Sequence, residues 1–453
     1  MKELTLKQIA DWCGGTVAPE YETVPVTGVE SDSRKVEVGD LFVALRGERV
    51  DGHDFIPSAK TLGASAALVS RPSEELPCVV VESPLRAYGE IAKHYREMTG
   101  VKVVGITGSV GKTTTKEMIA SVLSRDFKLY KSEGNHNNEI GLPMTVMNMP
   151  EDTELLVAEL GTNHPGEIAY LSAIAQPDYA VITNIGIAHI EYLGSREGIL
   201  REKLDILRSS LKNTVGIFNG DEPLLWNVRD KGTHKKYYFG IDNPSCDVVA
   251  SGIQELDDGM RFHVSGFHHE FELFVPALGR HMVYNALAAA TVGLAMGVKP
   301  ETIQNELSIF RNTGMRQKIY EKNGMTIIED CYNAGPESTE AALGVLASVK
   351  TSGKRIEVLG DMLELGEKGA EYHRDMGKKA VECGADMMIG KGPLMKNACE
   401  ETERAGIETM HFDTSEDIMR ALDNCLRDGD TVLVKASHGT NLKDVAEYIK
   451  ANF

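Results

Sequence analysis

At 453 residues the chain is too long for one hydrophobic core, and ordinary domain sizes suggest roughly three units. A hydrophobic fraction of 42% and a charged fraction of 25% describe an ordinary globular protein. The net charge of -19 argues against a nucleic-acid partner, because no local basic stripe offsets the repulsion of a polyanion. A small anionic ligand stays possible, since a helix N-terminus and a few lysines outvote distant charges. The seven cysteines form no C-x-x-C pair, which suits a reducing cytosol. The opening MKELTLKQIADWCGG intersperses charges where a signal peptide carries an apolar run. No stretch of about 18 apolar residues occurs, so a cytoplasmic protein without membrane insertion is expected.

Residues 1–98 open with a short amphipathic helix pattern and then mix brief strands, DLFVAL and AALVS, with turn-rich segments such as SDSRK. This predicts a small α/β domain. At Val101 the register changes: VKVVGIT is an apolar run of the kind that forms a parallel strand buried on both faces. Similar runs recur at ELLVAEL, DYAVITNIG and TVGIFNG, which predicts a central doubly wound, mostly parallel sheet over 99–312. The same grammar restarts in 313–453 with MTIIEDCYN, RIEVLGDM, ADMMIG and DTVLVKASHG, a second and smaller Rossmann-like unit. The fold class expected is therefore α/β, in three domains around a central P-loop unit.

The strongest chemical signal is VVGITGSVGKTTT, Val103 to Thr115, a buried strand running through a glycine-rich turn into a helix. The glycines, Gly108 and Gly111, let the backbone amides around Ser109 turn toward phosphate oxygens. Lys112 supplies a point charge to the β and γ phosphates, and the Thr113 hydroxyl can bind Mg²⁺, with Thr114 beside it. Ile106 stands where the strict G-x-x-x-x-G-K-[ST] pattern has its first glycine. Nucleoside triphosphate binding is the local inference.

TGSVGKTT, Thr107 to Thr114, resembles the loop of the Mur ligases and folylpolyglutamate synthetases, and the resemblance extends through most of the chain. It includes SDSR at 31–34, DGHDF at 51–55, GNHNNEIGLP at 134–143, ELGTNHPGEI at 159–168 and TNIGIAH at 183–189. GRHMVYNAL at 279–287, DCYNAGP at 330–336 and LGDMLELGE at 359–367 complete it. The NHPGEI and LGDMLELGE stretches are similar to the family member that joins D-alanyl-D-alanine to UDP-N-acetylmuramoyl-tripeptide, which implies those two partners, a monomer, and an acyl-phosphate made with ATP.

What the resemblance implies for single residues differs from what each suggests alone. Glu159 ends an apolar strand and His189 follows another, both at the sheet edge where doubly wound folds bind ligands. Alone, His189 reads as a turn residue; the family implies that it and Glu159 surround a second of two magnesium ions. Lys203, in REGILREKLDILRSS, reads by spacing as a solvated surface lysine, whereas the family carries there a lysine carboxylated by CO₂. A carbamate turns a cation that repels magnesium into an anion that holds it, and its formation needs a neutral amine. Lys112, Lys203 and His189 are thus the expected catalytic residues.

Asn285, a helix-surface amide on its own, resembles with Arg316 and Asp330 the family residues around ATP's adenine, γ-phosphate side and ribose. Tyr332 and Asn333 are expected beside the nucleotide. Ser31, Asp32, Ser33 and Arg34, otherwise a polar turn, would meet the UDP end. Asn137, Asn138, Thr162, Asn163 and His164 would line the channel to the muramoyl peptide. Cys331 reads as a packing residue, because the chemistry needs no covalent enzyme nucleophile.

Three positions depart from the family pattern: Gly335 in NAGP, Met282 after His281, and KASH at Lys435 to His438 where the family has KGSR. The last weakens assignment of an arginine to the dipeptide pocket. Competing readings are a sister ligase adding a single amino acid, a folate polyglutamylating enzyme, or, in another class, a regulatory P-loop ATPase.

Overall fold

The computed structural model describes all residues except Glu48, 209–212, Thr313 and Met315, together with the side chain of His438. The expected boundary at residue 313, the end of the REGILREKLDILRSS stretch and the His438 departure therefore lie outside the described residues and side chains.

Leu4–Thr5 (β1) and Pro25–Val26 (β2) form an antiparallel pair beside the helix Leu6–Cys13. Thr5 and Gln8 cap that helix reciprocally, each side chain accepting the other's backbone N–H. Gly28–Glu30 (β3), Asp40–Val43 (β4), Ala66–Val69 (β5) and Cys78–Val80 (β6) then make a four-stranded parallel sheet in chain order. The helix Pro84–Thr99 carries Tyr88, Ile91 and Tyr95 into a core shared with Leu142, Ile168 and Leu171 of the central unit. Its Arg96 Nε and Nη2 donate to the carbonyls of Ala175 (3.1 Å) and Gln176 (3.0 Å). The first unit is thus packed onto the second through an apolar core.

The central sheet contains Lys102–Thr107 (β7), Leu129–Lys131 (β8), Leu155–Glu159 (β9), Tyr179–Ile182 (β10) and Val215–Asn219 (β11). Lys236–Gly240 (β12), Val248–Leu256 (β13), Gly259–Gly266 (β14) and His269–Val275 (β15) extend it. The spatial order is β15-β14-β13-β12-β11-β10-β7-β9-β8. β7 lies between β10 and β9, so the chain leaves it in opposite lateral directions, the switch point at which such sheets bind ligands. Both faces are covered. Val104, Ile106 and Val181 pack under the helices Lys112–Leu123 and Arg280–Ala295, while Val103, Ala158 and Ile182 face the shared core. The central sheet is mostly parallel, as expected; the ribbon β13–β15 at one edge adds the antiparallel pairings, β14 running against both β13 and β15. Alternating residues in QELDDGMRFHVSG and a turn at Phe267 and His268, both at positive φ, produce a hairpin that the search for continuous apolar runs passes over.

The third sheet holds Lys318–Lys322 (β16), Met325–Asp330 (β17), Arg355–Gly360 (β18), Met387–Lys391 (β19), Glu408–Phe412 (β20) and Thr431–Lys435 (β21). Its order is β16-β17-β21-β18-β19-β20, parallel except for the edge strand β16. Edge strands β16 and β20 are polar and half-exposed, and they were not expected from apolar runs.

β18 carries an anomaly. Glu357 is fully buried between β19 and β21, and neither carboxyl oxygen has a partner among the described residues. Arg355, two positions away, directs its guanidinium to the Ala347 carbonyl instead. Burial pushes the Glu357 pKa up from 4.5 to about 8, so the folded chain holds a proton that the unfolded chain releases. The contribution is full below pH 4.5 and is lost as pH rises through about 8. Glu357→Gln should remove that loss, gaining on the order of a few kcal/mol over the wild type between acid and mildly alkaline pH. Urea titrations across that range check it, and parallel stability curves contradict it.

Candidate functional site

Strand register builds the site. Ile106 of β7 pairs with Glu159 of β9, and Thr107 pairs with Ile182 of β10. Three strands therefore end together, and the phosphate loop, Glu159 and the segment 183–189 share one edge.

The loop 108–111 joins β7 to the helix Lys112–Leu123. A Cβ on Gly108 would stand 1.8 Å from Thr183 Oγ1. Gly111 has φ +84, and a Cβ there would stand 2.7 Å from Asn285 Oδ1. Both positions demand glycine. Asn184 Oδ1 accepts the N–H groups of Ser109 (3.0 Å) and Val110 (2.9 Å), and Thr183 Oγ1 donates to the Val110 carbonyl (2.6 Å). Lys112 Nζ folds back onto the Gly108 carbonyl at 2.9 Å. Burial lowers the Lys112 pKa, Glu159 opposes the shift and Arg316 adds to it, so a third-unit arginine lies close enough to be felt by the loop lysine.

Thr113 Oγ1 donates to Glu159 Oε2 at 2.6 Å, and Asn137 Nδ2 donates to Glu159 Oε1 at 2.9 Å. Thr114 is buried behind them, and Thr115 Oγ1 donates to Asn285 Oδ1 at 3.1 Å. Asn285 Nδ2 meets Met282 Sδ at 3.7 Å, so the methionine that departs from the family pattern is one of its neighbours. Asn285 also lines a small cavity with Gly111, Asn184, Asn219, His281 and Tyr284.

Lys203 is 2% exposed, not the solvated surface residue its spacing suggests. Its neighbour explains this. Glu202 accepts Gly166 N–H (2.7 Å), Ile168 N–H (2.8 Å) and Thr162 Oγ1 (3.3 Å), pinning the helix Arg196–Leu204 against the start of the helix Glu167–Ala175. With Glu202 so engaged, the adjacent Lys203 is drawn inward. Among the described residues it makes no hydrogen bond or ion pair. Burial and the Lys112 ammonium push its pKa well below the lysine range, against the pull of Glu202. His189, at φ +61, is lowered by burial and Lys112, while Glu364 of the third unit opposes this through a 2.5 Å contact to Nδ1.

Among the described residues no three His, Cys, Asp or Glu side chains gather as a metal cluster. The donors at this edge do fit magnesium, because Thr113 and Glu159 offer hard oxygens. The residues also fit a carbamate: a buried, unpaired amine whose ammonium form is disfavoured is the group that can add CO₂, and Lys112 beside it would compensate the new charge.

Asp330 ends β17 opposite Lys435 of β21, and Lys435 Nζ donates to its Oδ2 at 2.6 Å and to the Asn333 carbonyl at 3.0 Å. Arg316 stacks over the Tyr332 ring at 3.6 Å, and the Asn333 side chain turns back on Ala334 N–H. Cys331 is buried and its thiol is pushed up to about 12, which suits packing. His281, lowered by burial, meets Gln317 Oε1 at 3.2 Å.

The remaining residues divide by location. Ser31, Asp32, Ser33 and Arg34 line a cavity of about 850 Å³ in the first unit, with Phe42, Leu45 and Phe55. The exposed Arg34 guanidinium grips Asp32 at 2.8 Å and holds its carboxyl down at about 2. Asn138 Oδ1 is taken up by the N–H groups of Ile140 and Gly141 at the start of the helix Gly141–Met147. Asn163 and His164 donate their N–H groups to Glu167, and the His164 ring packs on Tyr192. Sequence reasoning missed Asn184, Glu364 and Lys435; the signal for Asn184 was its place in TNIGIAH, directly after a buried strand.

A phosphate loop at the switch point of a doubly wound sheet, flanked by a first α/β unit and a Rossmann-like third, defines a multidomain P-loop α/β protein. The chain matches the models for the Mur ligase family catalytic domain (25–108), the Mur ligase middle domain (106–293) and the Mur ligase glutamate ligase domain (315–438). It is 40% identical to the UDP-N-acetylmuramoyl-tripeptide--D-alanyl-D-alanine ligase of Bacillus subtilis (strain 168), over 99% of this chain and 98% of that one. With the Escherichia coli (strain K12) enzyme of the same name it shares 33% over 100% and 99%. It superposes on MurF from Acinetobacter baumannii with a TM-score of 0.92 at 31% identity, 99% of each chain being covered. For the MurF ligase from Thermotoga maritima in complex with ADP the TM-score is 0.83 at 30% identity, with 94% and 97% covered. This chain belongs to the Mur ligase family.

Lys435→Met should lower unfolding stability by about 3 kcal/mol in urea, because it leaves Asp330 without its buried cation. A loss below about 1 kcal/mol contradicts the coupling of that pair.

Proposed function

We propose that this chain is an ATP-dependent ligase of peptidoglycan precursor synthesis that joins D-alanyl-D-alanine to UDP-N-acetylmuramoyl-tripeptide. The observation that carries this is full-length likeness to enzymes of that name, in a chain whose phosphate loop, Glu159, His189 and Lys203 meet at one sheet edge. No helix among the described residues is long and apolar enough to cross a membrane, and the reading places the enzyme in the cytoplasm as a monomer.

In this reading residues 1–98 hold the UDP end around Ser31 to Arg34, 99–312 bind ATP, and 313–453 bring the dipeptide. The tripeptide's terminal carboxylate attacks the γ-phosphorus of ATP, and ADP leaves. The dipeptide's neutral amine attacks the acyl carbon of the resulting acyl-phosphate, and phosphate departs with the displaced C–O bond while the amine gives up a proton. Gly108, Ser109, Gly111, Thr113 and Thr114 cradle the phosphates, and Lys112 supplies charge where negative charge grows. Asn285 meets the adenine, Asp330 the ribose and Arg316 the γ-phosphate side of ATP, with Tyr332 and Asn333 beside the nucleotide. Asn137, Asn138, Thr162, Asn163 and His164 line the path of the peptide. Two magnesium ions, held by Thr113, Glu159, His189 and carbamylated Lys203, would neutralise phosphoryl oxygens. Positioning does much of the remaining work.

The test is a mass-resolved assay with ATP, D-alanyl-D-alanine and UDP-linked tripeptides bearing lysine or diaminopimelate. The expected product gains one dipeptide less water, with one phosphate per bond. Phosphate release that needs no amine contradicts the reading and favours a regulatory ATPase; a product formed with a single amino acid favours a sister ligase.

Lys203→Ala should nearly stop turnover, and acetate or formate should partly restore it by filling the vacated anion position. Undiminished activity of this variant in CO₂-depleted buffer contradicts the carbamate. Glu159→Ala and His189→Ala should each raise the magnesium concentration needed for half-maximal rate, and an unchanged requirement removes them from the ligand set.

A further inference from the structure

Segment 183–187 touches two units with consecutive backbone amides. Gly186 N–H donates to Ser109 Oγ of the phosphate loop at 2.9 Å. The next amide, Ile187 N–H, donates to Glu337 Oε1 of the third unit at 2.8 Å. Glu337 lies in the first turn of the helix Pro336–Ser348, where a carboxylate is favoured. The approach is close: a Cβ on Gly186 would stand 2.5 Å from Glu337 Oε1. The other oxygen, Oε2, is buried without a partner among the described residues. A second contact runs parallel, since Glu364 of the third unit holds His189. Through Thr183, Asn184 and Gly186, the same short segment supports the Ser109–Val110 stretch of the loop.

We propose that Glu337 is a positioning residue for the phosphate loop, acting from the third unit through Ile187 and Gly186 on Ser109. The inference rests on the reading of the loop as the ATP site. When the third unit is docked, Glu337 fixes the peptide between Gly186 and Ile187, and the Gly186 amide orients the Ser109 hydroxyl. Without that acceptor the segment is free to rotate, and the loop loses its outer support. Loading of the loop with nucleotide and seating of the third unit are then coupled through one carboxylate that touches neither substrate nor phosphate.

The test measures affinity for a non-hydrolysable ATP analogue by calorimetry, which requires no peptide substrate, together with kcat for ligation. Glu337→Ala should weaken the analogue about tenfold by leaving the Ile187 amide unpaired. Glu337→Gln, which keeps an acceptor oxygen, should return affinity to within about twofold of the wild type. Ser109→Ala should cause a similar loss, and Glu337→Ala added to it should cause no further loss, because both cut the same relay. Unchanged affinity in Glu337→Ala, or losses in the double variant that multiply, overturns the proposal. A residue serving stability alone would lower the melting temperature while the two effects stayed independent. A wild-type protein that binds the analogue but ligates no dipeptide counts against the proposed ligase reaction, and the binding cycle still decides the relay.

Discussion

The parallel pairing of β7 with β9 on one side and β10 on the other is the constraint on which the rest depends. Its register brings Thr107, Glu159 and Thr183 to a common edge, and no side chain in the site could be where it is if either neighbour slipped by one residue. Burial of β7 on both faces enforces the register, because a slip would turn Val104 and Ile106 out of one core and into the other.

Around that edge the electrostatics are unusual for a chain of net charge -19. Lys112 lies near enough to Lys203 to disfavour its charge, and Arg316 of the third unit acts likewise on Lys112. Crowding these basic groups at one edge is unfavourable unless an anion arrives, and a triphosphate is an anion of the right kind. Glu159 offsets part of this, raising the Lys112 pKa against burial, but it is a single carboxylate. Global charge thus says little about the site, where geometry sets the local sign.

Much of the fold was legible in the residues. Continuous apolar runs marked β7, β9, β10 and β11, and glycines before Lys112 marked the loop, because burial on both faces and close backbone approach leave strong local signatures. The ribbon β13–β15 and edge strands β16 and β20 were not seen, since half-exposed strands carry polar residues at alternate positions. Lys203 was legible only through family likeness: its inward turn depends on Glu202 binding amides about 34 residues away, which spacing on one helix does not reveal. Glu337 and Glu364 were invisible for the same reason, their partners lying 150 and 175 residues away in another unit.

The account turns on a carboxylate that is phosphorylated before it is joined. Oxygen transfer measures this directly: a UDP-tripeptide labelled with ¹⁸O in its terminal carboxylate is turned over with ATP and D-alanyl-D-alanine, and the released phosphate is weighed by mass spectrometry. The account predicts one ¹⁸O atom in each phosphate released. Phosphate that carries no label while the amide forms would contradict it.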